Sequence, residues 1–439
     1  MQINNILNGI INSLEIQVAY VRVILDFLHI IFDNTFYVFL FIFSIISAIY
    51  VIFMMISLLV NPRYKEKYFN AKLAPTVTIQ IPTRNEIIAL RCARKCLSFD
   101  YPKNKFKILI GDDSDDSEVS AELDRFAAMH DQITIIRRTK NIGFKPGNLN
   151  NMLKHTKSDI IVIFDSDFVP EKDFLKRIVT PFIYDKDVEA VQSRWKFLNS
   201  EQNLITALGT TIQSVVHYIF LPVMGKKYIG FLCGSGEAVK RSTLLKLGGW
   251  KSGALTEDIE YSLRLHKNGK KIVYLDNLPC LNELPSTLKD LYKQQMRWAY
   301  GVIAAYKMHS KEVIFSSYSV LQKILTFCMA FGYLIPIFVL LLTLFGTLSF
   351  VTHPPGPIDI PTFLSVTFRN ILLTFGFVIA SVFALVKASQ LKLVFKAVIS
   401  SFSVGFVIAY FVNIGIFKAI FNKPMKWFLL NKSKDYMKD

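Results

Sequence analysis

Residues 36–60 form an uncharged, almost wholly apolar run. At about 1.5 Å of helical rise per residue, such a run crosses the roughly 30 Å hydrocarbon core of a bilayer. A second uncharged run, 324–351, begins just after Lys323 and is longer than one crossing needs. Neither has the short apolar core and small-residue cleavage site of a secretory signal. Together with 52% hydrophobic residues and a mean hydropathy of +0.35, the two runs predict an integral membrane protein. In 439 residues there is room for a further folding unit between them.

The net charge of +17 could suit nucleic acid, but its distribution argues otherwise. Arg63, Lys65, Lys67 and Lys72 follow the first run, and Lys387, Lys392, Lys396, Lys418, Lys423 and Lys426 crowd the C-terminal end. Such clusters mark cytoplasmic flanks of membrane segments and attract anionic lipid head groups. No basic motif interleaved with aromatics is present, so membrane lipids are the expected partner and nucleic acid is not. Cys92, Cys96, Cys233, Cys280 and Cys328 give no metal-ligand spacing and no even disulfide framework, which fits a reducing cytosolic face.

Between the apolar runs the period changes. Strands are predicted at 77–81, 106–110, 133–137, 160–164 and 190–193, with helices at 87–97, 119–129 and 174–182 between them. Alternation of this kind predicts a mostly parallel α/β sheet covered on both faces, with its ligand crevice beyond the carboxyl ends of the strands. Segments near 204–224 and 287–306 read as amphipathic helices of the membrane interface. The resulting division is an amphipathic or membrane segment at 1–35, a transmembrane helix at 36–60 and a cytosolic catalytic domain at 61–310. A membrane region at 311–417 and a basic cytosolic tail at 418–439 follow. Within 311–417, spans are expected near 324–351 and 363–386, while 397–417 either crosses or lies in the interface, giving three to five crossings.

Six polar clusters fall where such a crevice would be. Asp165-Ser166-Asp167 directly follows an apolar strand; two carboxylates on a tight turn can hold a hard divalent cation, Mg²⁺ or Mn²⁺, against a diphosphate. The competing reading is a solvated loop. Gly111-Asp112-Asp113-Ser114 ends another strand and could meet a base or ribose, or simply form a turn that caps the next helix. Thr83 and Glu86 close the first strand. Gly143-Phe144-Lys145-Pro146-Gly147-Asn148 enters a helix, so Lys145 could face a diphosphate, although a plain turn would look the same. Thr256-Glu257-Asp258 opens the helix 259–267; it is either an ordinary N-cap with acidic residues in the first turn, or it carries a general base at Asp258. Gln294, Arg297 and Trp298 offer a guanidinium fork and a flat ring, which serve equally as phosphate and sugar contacts or as membrane anchors.

Taken in order, these motifs resemble the processive family-2 glycosyltransferases, the cellulose, chitin and hyaluronan synthases, and are most similar to cellulose-synthase-like mannan and glucomannan synthases. The resemblance rests on Phe144-Lys145-Pro146-Gly147-Asn148-Leu149-Asn150 and on Val191-Gln192-Ser193-Arg194-Trp195 with Phe197. Asn282-Glu283-Leu284-Pro285-Ser286-Thr287, leading into Gln294…Trp298, completes it, so that it runs from about 76 to 306. It implies a Rossmann-like GT-A domain on the cytosolic face, inserted between transmembrane helices. Asp165 and Asp167 would then meet the metal, and Thr83, Glu86, Asp112, Asp113, Lys145, Gln294 and Arg297 would meet the nucleotide sugar. Asp258, with Glu257 beside it, would be the base, and Trp298, Cys233, Gly234 and Ser235 would face the acceptor. Trp427 to Lys432 resembles the family's gating segment, with Leu430 where threonine is expected.

The implied enzyme transfers a hexose from GDP-mannose or UDP-glucose to a growing β-linked polysaccharide at the cell membrane, with inversion. Its partners would be a glycan or lipid acceptor and possible further copies of the chain. The rival readings are single-sugar transfer to a membrane lipid and a non-catalytic scaffold that binds nucleotide sugar.

Overall fold

The computed structural model of the chain describes residues 2–59, 67–353, 356–357 and 359–428, with side chains from residue 13 onward. The chain divides into two compact units, one comprising Met1–Ile52 and Gly332–Ile379 and the other Phe53–Phe331 and Ala380–Asp439.

In chain order the strands are β1 (Val77–Thr83), β2 (Phe106–Asp112), β3 (Ile133–Arg137), β4 (Ile160–Ile163), β5 (Val188–Phe197), β6 (Glu237–Lys240) and β7 (Lys271–Asn282). The helices begin with α1 (Gln2–Leu59), α2 (Ala89–Leu97), α3 (Ser117–Ala128), α4 (Phe144–Lys154) and α5 (Phe174–Tyr184). Next come α6 (Leu204–Val215), α7 (Leu221–Gly225), α8 (Arg241–Lys246), α9 (Glu257–Lys267), α10 (Leu288–Ile314) and α11 (Val320–Cys328). The last are α12 (Ile335–Thr352), α13 (Ile360–Thr374), α14 (Gly376–Lys387), α15 (Val394–Phe402) and α16 (Val404–Ile420).

The larger unit is built on one sheet of order β3-β2-β1-β4-β6-β5-β7. Pairing is parallel throughout except at β6, which runs antiparallel to β4 and β5. Side chains alternate across it. Ile79, Ile81, Ile108, Ile110 and Val162 face Cys92 and Cys96 of α2, Leu123 of α3 and Ile178 of α5. Leu109, Ile161 and Ile163 face Leu149 and Met152 of α4 and Tyr261 and Leu265 of α9. With both faces covered, β1 and β4 are buried along their whole length. Of the polar residues this traps in β1, Thr78 accepts from Ser158 Oγ at 2.8 Å and Gln80 Nε2 donates to Thr156 Oγ1 at 3.1 Å, while Gln80 Oε1 has no partner among the described residues. The predicted strands are all present. The pattern missed β6, which is four residues long, and β7, an edge strand in which Pro279 follows a bulge at residues 276–278.

The helices of the apolar segments differ from expectation in several places. One continuous helix, α1, runs through both 1–35 and 36–60. The 324–351 run is broken into α11, a 3₁₀ turn (Phe331–Tyr333) and α12, whose first turn holds Pro336. Residues 363–386 fall on α13 and α14, bent by 50°, and 397–417 on α15 and α16, bent by 59° with the 3₁₀ turn before α15 included. Among the described residues three helical segments are long and apolar enough to cross a membrane, or up to five if each bent pair is one span.

The two segments expected as interface helices are packed against other helices of the larger unit. From 204 to 224, through α6, a π-helical turn (Val216–Phe220) and α7, no residue is exposed. Ala207 is packed by Leu385, Leu393 and Ala397, and Thr210 and Thr211 return hydrogen bonds to the helix's own carbonyls at 2.8 Å. Helix α10, which covers 287–306, is packed against α9 and α16. There Gly415 lets the helices approach so closely that a Cβ would lie 2.4 Å from Met296 O. In the smaller unit, α1 and α12 meet through aromatic pairs such as Phe39–Phe338, and Ser47 Oγ accepts from Gly376 N at 2.9 Å.

Candidate active site

The carboxyl ends of β1, β2 and β4 open into one cleft, closed on the other side by β5, β7, α6, α9 and α10. Thr83, Glu86, Asp113, Lys145, Asp165, Asp167, Cys233, Gly234, Glu257, Asp258, Gln294, Arg297, Trp298 and Trp427 all line it. Residues up to 344 positions apart in sequence, Thr83 and Trp427, thus converge as the motif reading required. Asp112 and Ser235 sit behind the lining. Asp112 accepts from Ser114 N, Ser120 Oγ (2.8 Å) and Arg137 Nε (2.8 Å), and these bonds hold its carboxyl below the usual range despite the cost of burial. Ser235 Oγ accepts from Asp165 N at 2.9 Å, so its place is to fix the acidic turn. Lys432 and Leu430 lie outside the described residues, as do Arg63 and Lys65.

The centre of the cleft is a cluster of acids around one amine. Lys145 Nζ lies 2.8 Å from Asp165 Oδ1 and 3.0 Å from Glu257 Oε1, and donates to Gly234 O at 2.7 Å. Burial works against its charge, but Asp165 and Glu257 outweigh that and raise its pKa. Lys145 stands in the first turn of α4 because the chain turns sharply there: Gly143 and Phe144 are both left-handed, at φ of +78° and +56°. A phenylalanine in that region costs about 1 kcal/mol or more, a cost typical of functional sites. Gly147 follows for a steric reason, since a Cβ there would sit 2.1 Å from Ile142 O and 2.5 Å from the Arg138 guanidinium.

Asp258, at the start of α9, is the perturbed acid. It is densely surrounded by protein yet keeps an open side on the cleft. Burial and then the neighbouring Glu257 push its pKa up to about 7, against the opposing pull of Lys145, the Ile259 N–H and Arg297. Thr256 is the N-cap by position but makes no capping bond: its hydroxyl is packed under Gly301 and has no partner among the described residues. A second buried acid, Glu237 on β6, accepts from Gly234 N at 2.8 Å, while its Oε1 has no partner among the described residues. Burial and the charge of Asp258 raise its pKa well above the usual range.

The acidic turn is braced from below. Arg91 of α2 donates to Asp167 O at 3.1 Å and pairs with Glu283 at 2.8 Å, and the Ser166 hydroxyl donates to Glu86. Asn85, left-handed at φ +56°, accepts from Asp115 N and Asp116 N, and so ties the loops after β1 and β2 together. Asp113 is matched by Arg138 through two hydrogen bonds of 2.8 and 2.5 Å. Across the cleft, Arg297 donates to Leu255 O at 3.0 Å and lies 4.2 Å over the Trp427 ring, whose other neighbour is Phe144. Asp165 and Asp167 are two hard oxygen donors that line the cleft together. No cluster of three or more metal-type ligands gathers among the described residues.

The motif reading missed Arg91, Arg138, Glu237 and Gln213. Arg138 had a visible signal, as the second of two arginines closing β3 on the side of the Asp112-Asp113 turn. Glu237 and Gln213 had none, because β6 and the enclosure of α6 were not foreseen.

The chain is 32% identical over 253 residues to a probable glucomannan 4-β-mannosyltransferase of Arabidopsis thaliana, covering 55% of this chain and 45% of the relative. It is 34% identical over 251 residues to a second glucomannan 4-β-mannosyltransferase of that plant, covering 55% and 47%. The chain thus matches about half the length of these curated relatives. Among solved structures, a mannosyltransferase of Pyrobaculum calidifontis, determined with GDP-mannose and Mn²⁺, shares the fold. Its TM-score is 0.57 at 17% identity, over 86% of this chain and 99% of the other. The mixed, mostly parallel sheet is therefore GT-A-like, and the likeness to glucomannan synthases read from the motifs agrees with the relatives found. The model of the family described as glycosyltransferase like family 2 matches residues 74–301, just over half of the chain and all seven strands, and the protein belongs to that family.

Proposed function

We propose that the protein is a membrane-integrated inverting glycosyltransferase that moves a hexose, mannose before glucose, from a nucleoside diphosphate to the end of a β-linked polysaccharide. One observation carries the reading. Asp258, an acid with its pKa moved to about 7, faces the same cleft as Asp165, Asp167 and Lys145. Such displacement needs a base on one side of the anomeric carbon and positive charge on the other. The mannosyltransferase names of the relatives favour GDP-mannose over UDP-glucose.

In this account the nucleoside lies over β1 and β2 near Thr83 and Asp113, and the diphosphate reaches Lys145, Gln294 and Arg297. Two carboxylates at a strand end, with the remaining positions filled by substrate phosphates, is a donor set that suits Mg²⁺ or Mn²⁺. Asp165 and Asp167 would hold that ion, which when bound neutralises charge on the leaving diphosphate. Asp258 takes the proton of the acceptor hydroxyl as that oxygen bonds to the anomeric carbon. The bond from the anomeric carbon to the diphosphate oxygen breaks, and the linkage inverts to β. Trp298, Cys233 and Gly234 border the acceptor, and Trp427 covers the cleft from the C-terminal side. The lysine-flanked apolar helices would keep the catalytic unit on the cytosolic face of the cell membrane.

The test is a donor panel. Purified protein in nanodiscs is given labelled GDP-mannose, UDP-glucose, UDP-N-acetylglucosamine or UDP-galactose with Mg²⁺ or Mn²⁺, and the product is sized. A ladder or polymer from one donor supports the proposal. A single lipid-soluble product would replace it with glycolipid synthesis, and donor binding without turnover would make the protein a scaffold. A second expected result is the acid limb of the pH profile. Since Asp258 must be ionised to act, kcat/KM should rise with pH through about 7 and level off above it. A flat profile between pH 5.5 and 8 would contradict Asp258 as the base.

A further inference from the structure

The short stretch from Leu232 to Ser235 leads into β6 and is held from several parts of the larger unit at once. Leu232 N donates to Ser262 Oγ of α9 at 2.9 Å, and that hydroxyl donates to Asp258 O at 2.7 Å. Cys233 N donates to Gln192 Oε1 of β5 at 2.8 Å. Gly234 O accepts from Lys145 Nζ at 2.7 Å, and Ser235 Oγ accepts from Asp165 N at 2.9 Å. Gly234 is left-handed at φ +85°, and a Cβ there would lie 3.2 Å from Asp258 Oδ2 and 3.4 Å from Lys145 Nζ. Four residues thus touch the acid of α9, the amine of α4 and the turn that carries Asp165.

The remaining donor, Gly234 N, is met by Glu237. This residue opens β6, opposite Ile163 of β4 and Gln192 of β5 in the ladder, and its Oε2 accepts from Gly234 N at 2.8 Å. It is 1% exposed, and its Oε1 has no hydrogen-bonding partner among the described residues. The amine of the cleft, Lys145, makes its ion pairs with Asp165 and Glu257 instead. Ionised, Glu237 would be an enclosed charge with no cation paired to it, whereas a neutral acid bears the same enclosure at far lower cost. Burial and the charge of Asp258 favour the neutral form too, against the pull of Lys145.

We propose that Glu237 is a positioning residue for the transfer: an uncharged clamp on the Gly234 amide that keeps Lys145 and Asp258 in the geometry the displacement needs. The proposal rests on the transferase reading above, in which Asp258 is the base. Being neutral, the clamp adds no negative charge beside Asp258; a carboxylate would add one and push the base's pKa higher still. An apolar residue in its place would leave Gly234 N buried and unpaired, and would let the stretch shift. A misplacement of about 1 Å at a reacting centre can cost about 100-fold in rate.

Two variants and one spectrum test this. Glu237→Leu should lower kcat about 100-fold while the donor KM moves by no more than about three-fold, because the Gln294 and Arg297 contacts assigned to the diphosphate do not pass through Gly234. Glu237→Gln keeps an acceptor for Gly234 N and carries no charge. It should recover kcat to within about three-fold of wild type, with the acid limb of kcat/KM still at about 7. Infrared difference spectra of wild type against Glu237→Gln, in an ester-free detergent at about pH 7, should show the loss of a protonated carboxyl C=O band. Loss of a carboxylate band instead, an acid limb displaced in Glu237→Gln, or a glutamine variant as slow as the leucine variant would overturn the proposal. If Glu237→Leu does not fold, the spectrum and the glutamine variant decide alone. The protonated band in a protein that turns over no donor would refute the transferase reading and leave the neutral contact between Glu237 and Gly234 standing.

Discussion

Asp258→Asn should abolish transfer, lowering kcat by 10³-fold or more, while donor affinity stays within a few-fold of wild type. The substitution keeps the shape of the side chain and its place at the start of α9, but removes the group that accepts the proton. A positioned base contributes typically 10²–10⁴-fold. The same change should raise stability at alkaline pH. The folded pKa of Asp258 is about 7 against an ordinary value of 3.8, so between those values the folded protein binds more protons than the unfolded one. Stability from this group is therefore full below about pH 4 and is lost as pH rises through 7. Asparagine removes that loss, so the variant should melt higher than wild type at pH 8, by an amount on the order of 2–4 kcal/mol, and match it near pH 4. Loss of donor binding along with turnover would mean that Asp258 holds the donor and is not the base.

Lys145→Met should cause the largest loss of stability. Lys145 is the one amine among Asp165, Glu257 and Asp258, and its removal leaves buried carboxylates without a counter-charge. Breaking a buried pair in this way costs about 3–5 kcal/mol. Because Lys145 also pulls the Asp258 pKa down, any activity that survives should show its acid limb above pH 7. Donor affinity should fall as well, since the amine faces the place assigned to the diphosphate. A variant with unchanged melting temperature and unchanged donor affinity would show that Lys145 is only a turn residue, as the local sequence also allowed.

The sequence was informative where function is written in short, ordered motifs on regular elements. The strands from β1 to β5 carry β-rich runs, and their ends carry the polar clusters, so the sheet and the convergence of Asp113, Lys145, Asp165 and Asp258 could be read without coordinates. It was least informative where long-range packing decides. The segment 204–224 has the composition of an interface helix, yet α15 and its neighbours enclose it, and no local pattern records that. The 324–351 run has no charge to mark a break, yet it breaks at the 3₁₀ turn Phe331–Tyr333, just ahead of Pro336. Asp112 looked as available as Asp113, but Ser120 and Arg137, eight and twenty-five residues away, occupy its oxygens. Glu237 shows the same limit: a four-residue antiparallel strand placed an acid beside Asp258, and nothing in its neighbourhood announced it.

The account's central claim is that Asp258 drives a displacement at the anomeric carbon of a nucleotide sugar bound by the Asp165–Asp167 side of the cleft. The most direct test is to follow the anomeric proton signals by NMR while purified wild-type protein consumes GDP-mannose in the presence of Mn²⁺ or Mg²⁺ and a neutral acceptor. The account predicts that the α-linked donor disappears, GDP accumulates and the first product carries a β-linkage, with none of this in Asp258→Asn. An α-linked product, or the same turnover in the variant, would contradict it.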